Sequence, residues 1–377
     1  LQITNLKFAI ITHVIHMKNK QQFVAYEPYV REMNLWIKNV DEVQIIAPFS
    51  NDSPTSIDAG YIHNNIELKE VKYFDITSIK NSLKSIFVIP IILFNIYKSM
   101  RWADHIHLRC PGNMGLLGCI VQVFFPSKPK TVKYAGNWDP KSKQPFTYRI
   151  QKWILSNTFL TKNVNVLVYG KWKNQSKNIL PFFTATYSKK DIVEINKNDF
   201  SSKIRFIFVG GFTKGKQPLL SVKVVEKLKL KGFNIQLDMY GDGVQRDRVG
   251  DYILDKSLQE IVNLHGNVDK LTVKKAFQNS HFLLFISKSE GWPKVVAEAM
   301  FWSCLPITTA VSCVPQMLDN GNRGAIVSPN VDEVVSVVES YLQIEKKYTE
   351  QILSAKSWSQ NYTLEKVESE IKKLLKN

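Results

Sequence analysis

Cysteine is scarce in this sequence, and the four that occur, Cys110, Cys119, Cys304 and Cys313, are scattered without CxxC or Cys/His spacing. That argues against a disulfide framework and a zinc site, and it fits a reducing cytoplasm. Long apolar runs are also missing. The longest, Ile86 to Phe94 and Gly115 to Phe125, fall well short of the roughly 20 residues a membrane span needs, and Pro90 interrupts the first. From Leu1 the chain moves straight into Leu6 to Thr12, with no basic segment, long apolar region or small-residue cleavage site, so no secretory signal is expected. Acidic side chains are in the minority, 33 against 50 basic, for a net charge of +17. Such a charge favours anionic partners: phosphorylated metabolites, anionic lipid or nucleic acid. The lysines are dispersed, and no zinc finger, helix-turn-helix or RRM-type aromatic signature accompanies them, so nucleic acid is not expected.

What is present is enough for two hydrophobic cores: 377 residues, 44% of them hydrophobic. Short apolar strand patterns alternate with longer helical ones in both halves, which predicts an α/β fold with parallel sheets. In the first half the strands are expected at Phe8 to Thr12, Val43 to Ala47, His105 to Leu108, Thr131 to Tyr134 and Asn165 to Val168. In the second they are expected at Ile204 to Val209, Ile235 to Met239, Ile261 to Leu264, Phe282 to Ile286 and Leu305 to Thr308. The polar segment between the two series predicts a first domain over 1–188, a linker over 189–202 and a second domain over 203–356. The tail 357–377 reads as one amphipathic helix, with Leu364, Val367, Ile371, Leu374 and Leu375 on one face.

The densest chemistry lies in Phe285 to Met300, Phe-Ile-Ser-Lys-Ser-Glu-Gly-Trp-Pro-Lys-Val-Val-Ala-Glu-Ala-Met. A strand enters a tight turn at Gly291, Pro293 suits a first helical position, and the following helix offers free N–H groups with the positive end of its dipole. Glu290 in the turn and Glu298 about one and a half helical turns later are expected to face one crevice, where carboxylates accept hydrogen bonds from the vicinal hydroxyls of a sugar or ribose.

Glu290, seven intervening residues and Glu298, set in Glu-Gly-Trp-Pro-Lys-Val-Val-Ala-Glu-Ala-Met, resemble the EX7E signature of the retaining GT-B glycosyltransferases of family GT4. Further segments match in the same order: Phe208-Val-Gly-Gly-Phe-Thr-Lys-Gly-Lys-Gln217, Met239-Tyr-Gly-Asp-Gly243 and Leu264-His-Gly-Asn-Val268. The resemblance covers residues 204 to 340 and implies two Rossmann-like domains facing a central cleft, with a C-terminal helix packing back on the first domain. It also implies a nucleotide-sugar donor, UDP- or GDP-linked, and a saccharide or lipid-linked saccharide acceptor. Glu290 would contact the transferred sugar, Glu298 the ribose and Lys216 the departing diphosphate. Gly210, Gly211, Lys214, Gly241, Gly266, Asn267 and Val268 would complete the donor site with Gly291, Trp292, Pro293, Lys294 and Val295. One position departs from the pattern: Gly211 stands where the family has an arginine, and Lys214 is the nearest substitute. No Asp-x-Asp triplet occurs, so no metal bridging the diphosphate and no other cofactor is expected.

The first half is less specific. The glycine-rich loop common after the first strand is missing, but His13 and His16 follow it as acceptor-side candidates. Asn137 and Asp139, after the strand ending at Tyr134, serve either the reacting sugar or a local Asx turn. Arg109 and Asn113 follow another strand and are assigned to acceptor or phosphate. Two other functions remain open, a nucleotide-sugar epimerase on the same fold and a non-catalytic polyanion or membrane binder. The segment 79–101, with Lys80, Lys84, Lys98 and Arg101 around its apolar run, suits either a peripheral position on the inner face of the cytoplasmic membrane or a buried helix with basic ends.

Overall fold

The computed structural model describes residues 5–20, 22–55, 57–72, 79–195 and 200–376, with the backbone alone over 79–87. The chain divides into two compact units, Leu1–Phe183 with Lys366–Asn377, and Thr184–Glu365.

In the first unit the chain begins with β1 (Lys7–Ile11), β2 (His16–Asn19), β3 (Gln22–Tyr26) and α1 (Glu27–Ile37). It continues with β4 (Glu42–Pro48), β5 (Asp58–Gly60), β6 (Ile66–Val71) and α2 (Ile79–Trp102). Then come β7 (His105–Cys110), α3 (Asn113–Val121), β8 (Lys130–Tyr134), α4 (Phe146–Ser156), β9 (Val164–Tyr169) and β10 (Ile179–Phe182). Seven strands form one parallel sheet in the order β10-β9-β8-β7-β1-β4-β6, and β2, β3 and β5 form a small antiparallel sheet. Where the parallel strands are well covered, as β1 and β4 are, they are apolar along most of their length, whereas the edge strand β6 is half polar. On one face α2, α3 and α4 bury Ile92, Ile96, Met100, Leu117 and Ile154 against the sheet.

The second unit holds β11 (Ile204–Val209), α5 (Pro218–Leu230), β12 (Ile235–Tyr240), α6 (Arg246–Asp255), β13 (Val262–Gly266) and α7 (Lys270–Asn279). After these come β14 (Phe282–Phe285), α8 (Lys294–Phe301), β15 (Leu305–Thr309), α9 (Val314–Met317), β16 (Ala325–Val327), α10 (Val331–Gln343) and α11 (Glu345–Gln360). Its sheet is parallel in the order β13-β12-β11-β14-β15-β16. Both sheets thus share the doubly wound 3-2-1-4-5-6 arrangement of a Rossmann-like domain, the first with one strand added.

Two segments differ from the sequence reading. The stretch expected as a linker lies inside the second unit: Asp191 closes a capping box with Ser188 and pairs with Lys274, and Phe200 stacks on Phe282. Residues 196–199 are outside the described residues. The tail is two helices, because α11 ends at Gln360 and the Leu364 N–H donates to the Tyr187 carbonyl instead of continuing the helical ladder. The last helix, α12 (Leu364–Lys376), belongs from Lys366 onward to the first unit, where Glu368 pairs with Lys38 and Ile371 is buried.

The first unit carries an unusual polar load beneath α1. His105 and His107 on β7 both engage the Thr131 hydroxyl, and Trp36 packs on His107 at 4.6 Å. Burial lowers His16 and His105 to about 4 and His107 to about 3. Since these values lie below that of an unfolded-chain histidine, the unfolded chain takes up the extra protons. The stabilisation is complete above about pH 6.5 and is lost as pH falls toward 4, each histidine giving up as much as about 1.4 kcal/mol per unit. Urea unfolding of the first unit is therefore expected to show a midpoint that is level from pH 8 to 7 and clearly lower at pH 5. A midpoint unchanged at pH 5 would mean that these rings are not held neutral.

Candidate active site

The chain leaves β11 toward β12 and leaves β14 toward β15, in opposite directions, so a crevice opens beyond the carboxyl ends of these two neighbouring strands. The loop after β11 runs from Gly210 to Gln217, and the turn after β14 from Ile286 to Pro293. They are tied together: the Lys288 N–H donates to the Gly215 carbonyl at 2.8 Å, and the Gln217 side chain donates to the Ile286 carbonyl at 2.9 Å. From the other side the Ser312 hydroxyl donates to the Gly291 carbonyl at 2.7 Å, and Thr309 donates to Ser287. The turn carrying Glu290 is thus fixed by both neighbouring loops.

Within this frame Glu290 and Lys216 meet. Lys216 Nζ lies 2.5 Å from Glu290 Oε1, which also accepts the Ser287 hydroxyl at 2.5 Å, and Lys216 sits 4.5 Å over the Phe285 ring. The carboxylate is largely covered, 11% exposed. Beyond the turn, α8 starts after Pro293 without a side-chain cap among the described residues, and its N-terminus carries the positive end of the helix dipole. Glu298 lies on α8 and accepts the Thr186 hydroxyl at 2.6 Å, lining a small crevice with Tyr187, Trp292 and Lys294.

Three glycines let the strand ends come close. The Gly210 N–H donates to the Tyr240 carbonyl and the Gly241 N–H to the Gly266 carbonyl, so the ladder of β11, β12 and β13 runs on past the strands. Gly241 has φ +123°, and a Cβ there would lie 2.1 Å from the Gly210 carbonyl oxygen. By contrast, Gly211 has room for a side chain: a Cβ would meet nothing closer than 3.7 Å. Lys214 is exposed on the same loop. At the β13 end Gly266 has φ +71° and is followed by exposed Asn267 and Val268. Arg246, in the first turn of α6, places Nη1 3.5 Å from where a Gly266 Cβ would stand, and that nitrogen is buried with no hydrogen-bond partner among the described residues.

The candidates of the first unit divide. His13 is solvent-exposed at the end of β1, and surrounding protein together with the Arg109 charge lowers its proton affinity. Its ring comes within 2.8 Å of a Cβ placed on Gly112, next to Asn113 at the start of α3. His16 is buried and spends both ring nitrogens, on the Tyr61 hydroxyl at 2.7 Å and the Val14 carbonyl at 2.8 Å. Arg109 is tied to Glu32 at 3.0 Å beside the Tyr29 ring. Asn137 Oδ1 accepts the Asp139 N–H and Asp139 Oδ1 accepts the Lys141 N–H, which is the Asx-turn geometry. Among the described residues no group of three or more His, Cys, Asp or Glu could hold a metal ion. Sequence reasoning missed Ser287, Thr186 and Arg246, none of which has a local signature.

Comparison with known proteins bears on this geometry. Over 346 residues the chain is 23% identical to Protein CapJ of Staphylococcus aureus, covering 87% of this chain and 85% of CapJ. It is 29% identical over 133 residues to the capsular polysaccharide biosynthesis glycosyltransferase CapH of the same organism, covering 33% of this chain and 36% of CapH. Among solved structures, Anabaena HepE, in complex with UDP and glucose, superposes with a TM-score of 0.68 at 11% identity, covering 99% of each chain. The architecture is the GT-B fold, and residues 190–358 match the model of the family Glycosyl transferases group 1, which supports a glycosyltransferase.

Proposed function

We propose that this protein transfers a hexose-type sugar from a UDP- or GDP-linked donor to a hydroxyl of a saccharide or lipid-linked saccharide, with retention at the anomeric carbon and without a metal. The observation that carries this reading is the fixed turn at the β11/β14 crevice, where Glu290 is held by Lys216 and Ser287 and an uncapped helix carrying Glu298 begins. Donor diphosphate would take the α8 amides and Lys216, whose charge offsets that gathering on the leaving group. Glu290 would then be free to accept the sugar hydroxyls, and Glu298 those of the ribose. In the reaction the bond between C1 and the diphosphate oxygen breaks with its electron pair leaving on the nucleoside diphosphate. The acceptor oxygen bonds C1 from the same face, and its proton passes to the departing phosphate. Held geometry and placed charge supply the catalysis.

HepE was solved with UDP and glucose, and CapH is named for capsular polysaccharide biosynthesis, so the reading extends to assembly of a bacterial surface polysaccharide in the cytoplasm. A thermal-shift screen with UDP, GDP and ADP tests it. At a hundred times its dissociation constant the right diphosphate stabilises the protein by about 2.7 kcal/mol, which raises the melting temperature by several degrees. No shift with any of the three would remove the donor site. Release of diphosphate only when acceptor is added separates transfer from epimerisation.

A further inference from the structure

Of the fifty basic and thirty-three acidic side chains, residues 71–183 alone hold seventeen basic and three acidic, leaving thirty-three against thirty for the rest. The net charge is therefore almost wholly a property of this stretch of the first unit. Its exposed aromatics fall in the same stretch. Among the described residues seven large aromatic side chains are exposed, and six of them, Phe94, Tyr97, Phe124, Phe146, Trp153 and Phe159, lie on α2, α3, α4 and the loops after them. The second unit has none among its described residues.

These side chains form a layer. On α2 the outward row is Ile91, Phe94, Lys98 and Arg101, opposite buried Ile92, Ile96 and Met100, so the helix is apolar on both faces and basic toward its end. Lys80 and Lys84 lie outside the described side chains. Tyr97 packs on Phe125 at 5.1 Å, and Lys128 donates to the Met100 and Arg101 carbonyls, which fixes the Phe124 loop to the end of α2. Asn163 in turn donates to the Pro126 carbonyl at 2.9 Å and brings the Phe159 loop alongside. Phe124 and Phe159 are 70% and 78% exposed. Cations accompany the rings: Lys98 lies 4.4 Å over Phe94, Arg149 5.7 Å from Phe146 and Lys162 5.6 Å from Phe159.

We propose that this α2–α3–α4 face docks on an anionic lipid bilayer. Aromatic rings and isoleucines on a surface of this size are costly in water and settle at the headgroup boundary, while the interleaved lysines and arginines meet lipid phosphates. A soluble polyanion would satisfy the charges but leave the rings uncovered. No helix among the described residues is long and apolar enough to cross a membrane, so contact here is from one side. The face belongs to the first unit and the proposed donor site to the second, and its test does not depend on that site.

Co-sedimentation of the full chain with vesicles of phosphatidylcholine, alone or with one-third phosphatidylglycerol, decides the matter. At 0.1 M salt binding should be at least tenfold stronger with phosphatidylglycerol and should weaken at 0.5 M. Phe124→Ser with Phe159→Ser should reduce it at least tenfold, and so should Lys98→Gln with Lys162→Gln, both with an unchanged melting temperature. Binding that ignores phosphatidylglycerol, or an aromatic pair of substitutions that leaves it intact, would overturn the proposal. The latter result would point to a soluble polyanion instead.

Discussion

Glu290→Ala is expected to lower the transfer rate by about a hundred- to a thousandfold, the range seen when a placed charge or hydrogen bond is removed from a reacting centre. Among the described residues the side chain bonds to Ser287 and Lys216, both in the same pair of loops, and Glu290 is not part of the buried hydrophobic cluster. Its loss should therefore leave the melting temperature within a few degrees of wild type. Glu290→Gln would keep the Ser287 hydrogen bond but lose the ion pair, and should recover only a small part of the rate. Transfer within threefold of wild type for the alanine variant would show that the turn carboxylate does not touch the sugar.

Gly241→Ala should damage the protein in the opposite way, through stability. A methyl group at φ +123° with the Gly210 carbonyl oxygen 2.1 Å away has nowhere to go, since the obstacle is backbone. Positive φ adds its own cost, and the sum is about 2–5 kcal/mol. For a unit of this size the melting temperature falls by roughly 2–4 °C per kcal/mol. Gly250→Ala is the matched control: it lies inside α6, its Cβ would meet nothing within 4 Å, and it should be neutral or slightly stabilising. Equal denaturation midpoints for the two variants would mean that the β11 and β12 ends do not approach as described.

The sequence reading succeeded where information is local. Buried parallel strands such as Ile204–Val209 and Phe282–Phe285 are apolar runs bounded by turn residues, and each of the ten strands expected has a counterpart. It missed the β2–β3–β5 meander because His16–Asn19 and Asp58–Gly60 are short and polar, and it missed β6 because Ile-Glu-Leu-Lys-Glu-Val buries little of its length. Within the site, the spacing of Glu290 and Glu298 was legible because one turn and one helix carry both. The partners that fix them were not. Thr186 is 112 positions from Glu298, and Lys216 is 74 from Glu290, so only the folded sheet brings them together. Arg109 shows the same limit from the other side: Glu32, 77 positions away, occupies a guanidinium that the sequence alone offers to a ligand. His16 looked available beside β1, yet the Tyr61 hydroxyl and burial hold it in the interior. At Gly211 the sequence shows a missing arginine, while the structure adds that the position has room for a Cβ and that Arg246 stands near Gly266.

In the proposed reaction the donor nucleotide would occupy the carboxyl ends of β11 to β14 in the second unit. Amide hydrogen exchange with and without the diphosphate that stabilises the protein tests it most directly, because bound ligand slows exchange where it closes backbone amides. Slowed exchange is expected over 209–217, 240–243, 265–268 and 287–298, and it should vanish in Glu298→Ala at subsaturating nucleotide. Protection confined to the first unit, or spread evenly over both with none in these loops, would contradict the assignment.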